Sequence, residues 1–299
     1  MESAPNLSRS FKPKLNRVRT GFVGICKCDP ITNKQKSHNK KKDNEKTKTQ
    51  PKGLSSAAAK AMCTLEKRGD LFFLTLTGDH DHRLGLPIID SLLSAIAEAK
   101  SQATRGSVLI TTAQGKFFSN GFDLGWAQSA GSATAARARL NQMVLAFKPV
   151  VVALLSLPMP TIAAVQGHAA AAGFLFALSH DYFLMRRDRG VLYMSEVDLG
   201  LPFPDYFTAA FRSKIGSVSG RRDVMLRGMK VKGEEAVKMG IVESAHDSAE
   251  STVEAAVRLG EQLGKRKWNG DVYAEIRKSL YPELCGVLGV AIATPKAKL

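Results

Sequence analysis

At 299 residues the chain is long enough to bury a substantial core, and 44% apolar against 23% charged residues describes a globular protein rather than a disordered one. A formal net charge of +16 would point to nucleic acid or a membrane surface if it were spread evenly. It is not: residues 1–61 hold 15 Lys and Arg against 4 Asp and Glu, whereas 62–299 hold 28 against 23.

The leading segment therefore has its own character. Met1 to Cys28 carries Arg9, Lys12, Lys14, Arg17 and Arg19 against Glu2, a transit-peptide-like composition without a clear amphipathic period. Residues 34–52 (KQKSHNKKKDNEKTKTQPK) are a low-complexity polar run that cannot bury enough apolar surface to fold. The expectation for 1–61 is a disordered basic extension, with a targeting address or a nucleic-acid arm as the functional alternatives. Cys26 and Cys28 form a lone C-x-C, and Cys63 and Cys285 stand apart, so neither a zinc site nor a disulfide framework is predicted. Reduced thiols fit an intracellular compartment.

Order is predicted from Met62. Thr64 to Thr77 reads as two short strands around the turn Arg68-Gly69-Asp70. Pro87 to Ser101 places Ile88, Leu92, Leu93, Ile96 and Ala99 at helical spacing, and Val108 to Thr112 is a β-rich run. A helix is predicted over Ala135 to Leu155 and a buried strand over Thr161 to Val165. The apolar stretch between Val150 and Val165 is broken by Pro158 and Pro160 and is shorter than the roughly 20 residues of a membrane span. Helix follows strand repeatedly, so the body over 62–204 is predicted to be α/β. From Asp205 the segments 205–229, 233–239, 251–266 and 270–280 read as helices, giving a helical C-terminal region over 205–299.

Three segments carry candidate chemistry. The first, Gly115 to Leu124 (GKFFSNGFDL), follows the Val108–Thr112 strand. The second, Thr161 to Gly173 (TIAAVQGHAAAAG), is a strand, a turn and a helix start. The third is Tyr193 to Leu201 (YMSEVDLGL). In this order and spacing they resemble the enoyl-CoA hydratase/isomerase (crotonase) family from about Met62 to the C-terminus. Within that family the likeness is to plant peroxisomal Δ3,Δ2-enoyl-CoA isomerases.

The resemblance implies a crotonase-like ββα spiral core with a C-terminal trimerisation region, hence a homotrimer or a hexamer. It implies no cofactor beyond the CoA carried by the substrate. Enolising a thioester puts negative charge on its carbonyl oxygen, which two fixed backbone N–H groups can stabilise. The family pattern assigns these to Ser119 and Ala172, and puts Ser119, Asn120, Gly121, Phe122, Asp123 and Ala172 around the substrate. Asp123 is expected to order its loop, and His168 to be structural.

Hydratases of this family use two carboxylates. One position is filled here by Glu196; the other falls on Leu175, which can neither bind nor activate water. A single base suits isomerisation, with Glu196 taking a proton from C2 of a 3-enoyl-CoA and returning it at C4. Asp198 and Asp205 are expected to be structural. Phe122, Leu124, Trp126, Phe174 and Leu201 are candidates for an acyl tunnel, and Lys116, Arg277 and Lys278 for the CoA phosphates. The final Ala297-Lys298-Leu299 matches the small–basic–Leu tripeptide read by peroxisomal import receptors. With an enoyl-CoA enzyme body, that end implies a peroxisomal enzyme. The basic N-terminus competes with it as an address, one explanation being that residues 1–61 come from an upstream start, since the resemblance begins at Met62. The alternatives are a hydratase or another acyl-CoA enzyme of the same fold, and an RNA-binding protein using the Lys-rich 34–52 segment.

Overall fold

A computed structural model describes residues 62–293. The basic extension 1–61 and the tripeptide 297–299 lie outside the described residues. The described chain opens with the expected hairpin, β1 (Cys63–Arg68) and β2 (Leu71–Leu76), paired antiparallel through Arg68 and Leu71. Gly69 takes φ +59° in the turn, a value glycine adopts without steric cost. Next come α1 (Leu86–Ser101), with a proline in its first turn, β3 (Val108–Ala113) and β4 (Phe117–Ser119). They are followed by α2 (Leu124–Gln128), α3 (Ala133–Leu155), β5 (Thr161–Val165), β6 (His168–Ala170) and α4 (Ala172–Leu178).

The second half holds β7 (Tyr182–Arg186), β8 (Val191–Tyr193), α5 (Glu196–Leu199), α6 (Asp205–Lys214) and α7 (Val218–Leu226). It ends with β9 (Val231–Lys232), α8 (Gly233–Lys238), β10 (Ser244–His246), α9 (Ala249–Gly264), α10 (Gly270–Leu280) and α11 (Pro282–Leu288).

Two sheets result. The larger runs β1-β2-β3-β5-β7-β10 and is parallel beyond the opening hairpin; the smaller runs β4-β6-β8-β9, with only β9 antiparallel. Side chains alternate across the larger sheet as strand geometry requires. Phe72, Leu74, Leu109, Ala163, Val165, Phe183 and Met185 enter the main core with α1, α3 and α4. Leu71, Phe73, Val108, Ile110, Ile162, Ala164 and Leu184 meet Ala255 and Ala256 of α9. Covered on both faces, these strands read in sequence as unbroken apolar runs. Helix α3 has the length and apolarity of a membrane span. Met143, Phe147, Val150, Val151, Leu154 and Leu155 along it are nonetheless buried in the domain's own core.

The C-terminal part departs from the expectation of helices alone. β9 and β10 add an edge strand to each sheet, and are only two and three residues long, too short for a period-2 pattern to register. The helix expected over 205–229 is two helices. Ser217 starts the second by accepting the Gly220 N–H at 3.0 Å.

Arg277 is anchored where no phosphate reaches it. It is 4% exposed, and its Nε and Nη2 each donate to the Asp181 carboxylate at 2.6 Å. Its guanidinium also donates to the carbonyls of Leu154, Leu155, Leu157 and Met159. Those carbonyls lie at and just beyond the C-terminus of α3, where helix geometry leaves them without intrahelical donors. Arg277 is therefore a clamp tying α10 to α3 and to the start of β7. Its neighbour Lys278 pairs with Glu275 and donates to the Ala291 carbonyl.

Candidate active site

The parallel pair β4–β6 brings the first two sequence motifs together, with Ser119 opposite Ala169. Beyond the strands the two chains press against each other. A Cβ on Gly173 would lie 2.3 Å from the Ser119 carbonyl oxygen, and one on Gly121 would lie 3.0 Å from that of Ala170. Gly121 also turns at φ +78°. Gly173→Ala is expected to force the two segments apart, cutting turnover by about 100-fold and stability by about 1–3 kcal/mol. Paired thermal unfolding and rate measurements check this; wild-type turnover would contradict it.

Ala171 takes φ +48° and ψ −121°, a conformation costing a residue with a side chain of the order of 1–3 kcal/mol. It is held there by its N–H, which donates to the Tyr193 carbonyl at 2.9 Å. Its own carbonyl accepts from Phe174 and Leu175. The N–H groups of Ala172 and Gly173, at the first two positions of α4, have no acceptor within the helix. Ser119 and Ala172 are both fully buried, so their amides sit in a setting of low polarity where an N–H dipole acts strongly.

Beside this turn opens a cavity of about 550 Å3. Its walls include Phe122, Leu124, Leu140, Val144, Leu201, Phe203 and Phe207, with Asn120, Tyr193 and Ser195 nearer the turn at Ala170 and Ala171. Glu196, at the start of α5, reaches into it and is 8% exposed. Its Oε2 is buried without a hydrogen-bond partner among the described residues. Burial pushes its carboxyl up to about 7, against the smaller opposing pull of the Glu196 and Ser195 backbone N–H groups. Among the described residues lining the cavity, Glu196 is the one carboxylate.

The family model for enoyl-CoA hydratase/isomerase matches residues 80–282, which span both motif strands, the cavity and the C-terminal clamp. The chain belongs to the enoyl-CoA hydratase/isomerase family. It is 67% identical over 239 residues to the Arabidopsis thaliana peroxisomal enoyl-CoA delta isomerase 2, covering 79% of this chain and 100% of that one. It is 68% identical over 225 residues to the Arabidopsis enoyl-CoA delta isomerase 3, covering 75% and 94%. The fold is that of the apo enoyl-CoA isomerase of Mycobacterium tuberculosis, with TM-score 0.67, 19% identity, and 77% and 95% of the two chains covered.

Against that family pattern the remaining candidates divide. Asn120 and Phe122 line the cavity, whereas Asp123 accepts the Trp126 N–H at 3.0 Å and caps α2. Leu175 is fully buried within α4. Of the tunnel candidates, Phe122, Leu124 and Leu201 are in the wall. Phe174 instead packs edge-on against Phe183 and Phe211, and Trp126 lies under the Arg139 guanidinium. Lys116 and His168 line a separate polar groove with Arg68 and Arg186. His168 Nδ1 is buried there without a hydrogen-bond partner among the described residues; burial, then the Lys116 charge, keeps its imidazole below the ordinary histidine range. Asp205 accepts the Tyr206 N–H at 2.7 Å at the start of α6, and Asp198 packs near Gly228. The α3 wall was missed in the sequence. Arg137, Leu140, Asn141 and Val144 recur at three- and four-residue steps, so one helical face was there to be read.

Proposed function

We propose that the protein is a Δ3,Δ2-enoyl-CoA isomerase, and the observation carrying this reading is that Glu196 is the one carboxylate among the described residues lining a largely apolar cavity. Glu196 takes a proton from C2 of a 3-cis- or 3-trans-enoyl-CoA. The electron pair of that C–H bond moves onto the thioester, giving a dienolate whose charge rests on the carbonyl oxygen. The N–H groups of Ser119 and Ala172 stabilise it, each worth about 2.7–4 kcal/mol where such donors have been removed elsewhere. Protonated Glu196 then gives its proton to C4, the double bond settles between C2 and C3, and the carboxylate is regenerated. Nothing is added or lost, so no water need be activated and no second carboxylate is required. A carboxyl poised near 7 serves both halves, because it is basic enough to take the proton and acidic enough to return it.

The acyl chain runs along Phe122, Leu124, Leu140, Val144 and Phe207, and no cofactor is needed beyond the CoA of the substrate. The protein is a peroxisomal enzyme of unsaturated fatty acid oxidation, as its relative named peroxisomal supports. A peroxisomal import receptor is then a partner. A homotrimer or hexamer is the assembly we propose, supported by the exposed Val272, Ile276 and Leu280, which repeat at four-residue steps along α10.

Incubation with 3-cis- and 3-trans-enoyl-CoA is expected to yield the 2-trans thioester, whereas 2-trans-enoyl-CoA in water stays unhydrated. Since the ionised carboxylate is the base, kcat/KM should rise with pH, pass half its maximum at about 7, and level off above. Rapid formation of 3-hydroxyacyl-CoA, or a rate flat between pH 5.5 and 8.5, would overturn the reading.

A further inference from the structure

We propose that His82 is a positioning residue for the first oxyanion donor, gripping β4 from its otherwise open edge. The inference rests on the isomerase reading above and adds a residue outside the motifs that led to it. β4 is three residues long and forms the edge of its sheet, with β6 on one side only. A strand that short has little of its own to fix an amide to the fraction of an ångström that charge stabilisation requires.

The missing side is supplied by the segment 79–85. The Asn120 N–H donates to the Asp81 carbonyl at 2.9 Å, and the Leu84 N–H donates to the Gly121 carbonyl at 2.8 Å. Between these bonds sits His82, 5% exposed, which holds β4 twice. Its carbonyl accepts the Ser119 hydroxyl at 2.8 Å, and its Nδ1 lies 2.9 Å from the Phe117 carbonyl oxygen. A carbonyl only accepts, so Nδ1 carries the hydrogen. The two bonds bracket Phe118, so the peptide that presents the Ser119 N–H is fixed at both ends.

The backbone of His82 reinforces this. It sits at φ +46°, one of three non-glycine residues with positive φ among those described. Histidine and asparagine are among the residue types that enter this region most readily. The strap is closed behind it: the His82 N–H donates to the Asp79 carbonyl at 3.2 Å, and the Arg83 N–H to Asp79 Oδ1 at 3.1 Å. Left-handed geometry turns the His82 carbonyl and imidazole to the same strand, and a left-handed backbone with a side-chain N–H donor is what the position requires.

Three variants and one spectroscopic probe test the role. His82→Gly accepts the backbone geometry but loses the donor; His82→Asn keeps both left-handed tolerance and an N–H. Ser119→Ala removes the hydroxyl bond to His82, together with the long 3.4 Å bond that the hydroxyl oxygen accepts from the Gly121 N–H, and covers the case in which the glycine variant does not fold. The probe is 2-trans-enoyl-CoA carrying 13C at C1, whose carbonyl stretch falls in frequency when the bound oxygen accepts strong hydrogen bonds. The glycine variant should lose about 10- to 100-fold in kcat with KM within about threefold. It should also lose part of the downward carbonyl shift seen in wild type. Asparagine should restore both to within about threefold of wild type, and Ser119→Ala should fall between. If the glycine and Ser119→Ala variants keep the full shift and wild-type kcat, or if asparagine restores neither, the positioning role is wrong. A wild type that binds the probe without any shift would instead overturn the oxyanion assignment beneath it.

Discussion

Glu196→Gln is expected to lose isomerase activity by about 10²–10⁴-fold and, above pH 7, to gain stability. The two effects share a cause. Burial raises the Glu196 carboxyl from an ordinary 4.5 to about 7, so the folded protein disfavours its charged form. Below 4.5 the group is neutral in both the folded and unfolded chains and costs nothing. Between 4.5 and 7 the unfolded chain ionises first, so folding must take up a proton and stability falls as pH rises. Above 7 the penalty is complete, of the order of 3 kcal/mol from the size of the shift. A neutral glutamine escapes it, so Tm of the variant at pH 8 should exceed that of wild type by several degrees. At pH 4.5 the difference should largely vanish. Equal Tm differences at both pH values would show that the carboxylate is not buried as described.

The second large effect lies away from the cavity. Arg277→Met is expected to cost about 3–5 kcal/mol, because it strands the Asp181 carboxylate in the interior. Burial raises the Asp181 carboxyl, but the Arg277 charge and its hydrogen bonds outweigh this and hold it below the usual range. The Thr161 N–H at 3.0 Å, the Tyr273 hydroxyl at 3.4 Å and the half-buried Lys214 then remain to favour its charge. The variant also takes a donor from four carbonyls at and just beyond the end of α3, of which that of Leu154 keeps the Leu157 N–H at 3.3 Å. Adding Asp181→Asn should recover part of the loss, since the unpaired charge is then gone. Urea unfolding of the single and double variants measures both numbers. A loss under about 1 kcal/mol for Arg277→Met would mean that the clamp is replaceable.

Arg277 also illustrates where the sequence stops being informative. Near the end of an acyl-CoA enzyme, an arginine followed by a lysine reads as a phosphate site, because nothing local distinguishes a buried guanidinium from an exposed one. Only the fold brings Asp181 within reach across 96 residues. The opening hairpin, β3 and β5 were legible because Gly69 marks the turn and the apolar runs are unbroken, whereas β7 of the same sheet drew no prediction. β9 and β10 were not, since strands so short are defined by the partner they join.

The candidate site was legible unevenly for similar reasons. Glu196 stands out through its motif and through Leu175, not through any property of the residues around it in sequence. The depth of its burial, which sets its acidity, comes with α3, the 201–204 loop and the start of α6, which line the same cavity. His82 was invisible because neither its left-handed backbone nor its hold on a strand 35 residues away has a local sequence mark.

The central claim is that one carboxylate carries one proton from C2 to C4. A 3-enoyl-CoA deuterated at C2, turned over in ordinary water and stopped early, tests it directly. The account predicts deuterium at C4 of the 2-trans product, with the remainder lost by exchange from the buried carboxylic acid before return. Product whose C4 holds no deuterium even in the first turnovers, with all of the label in water, would contradict it.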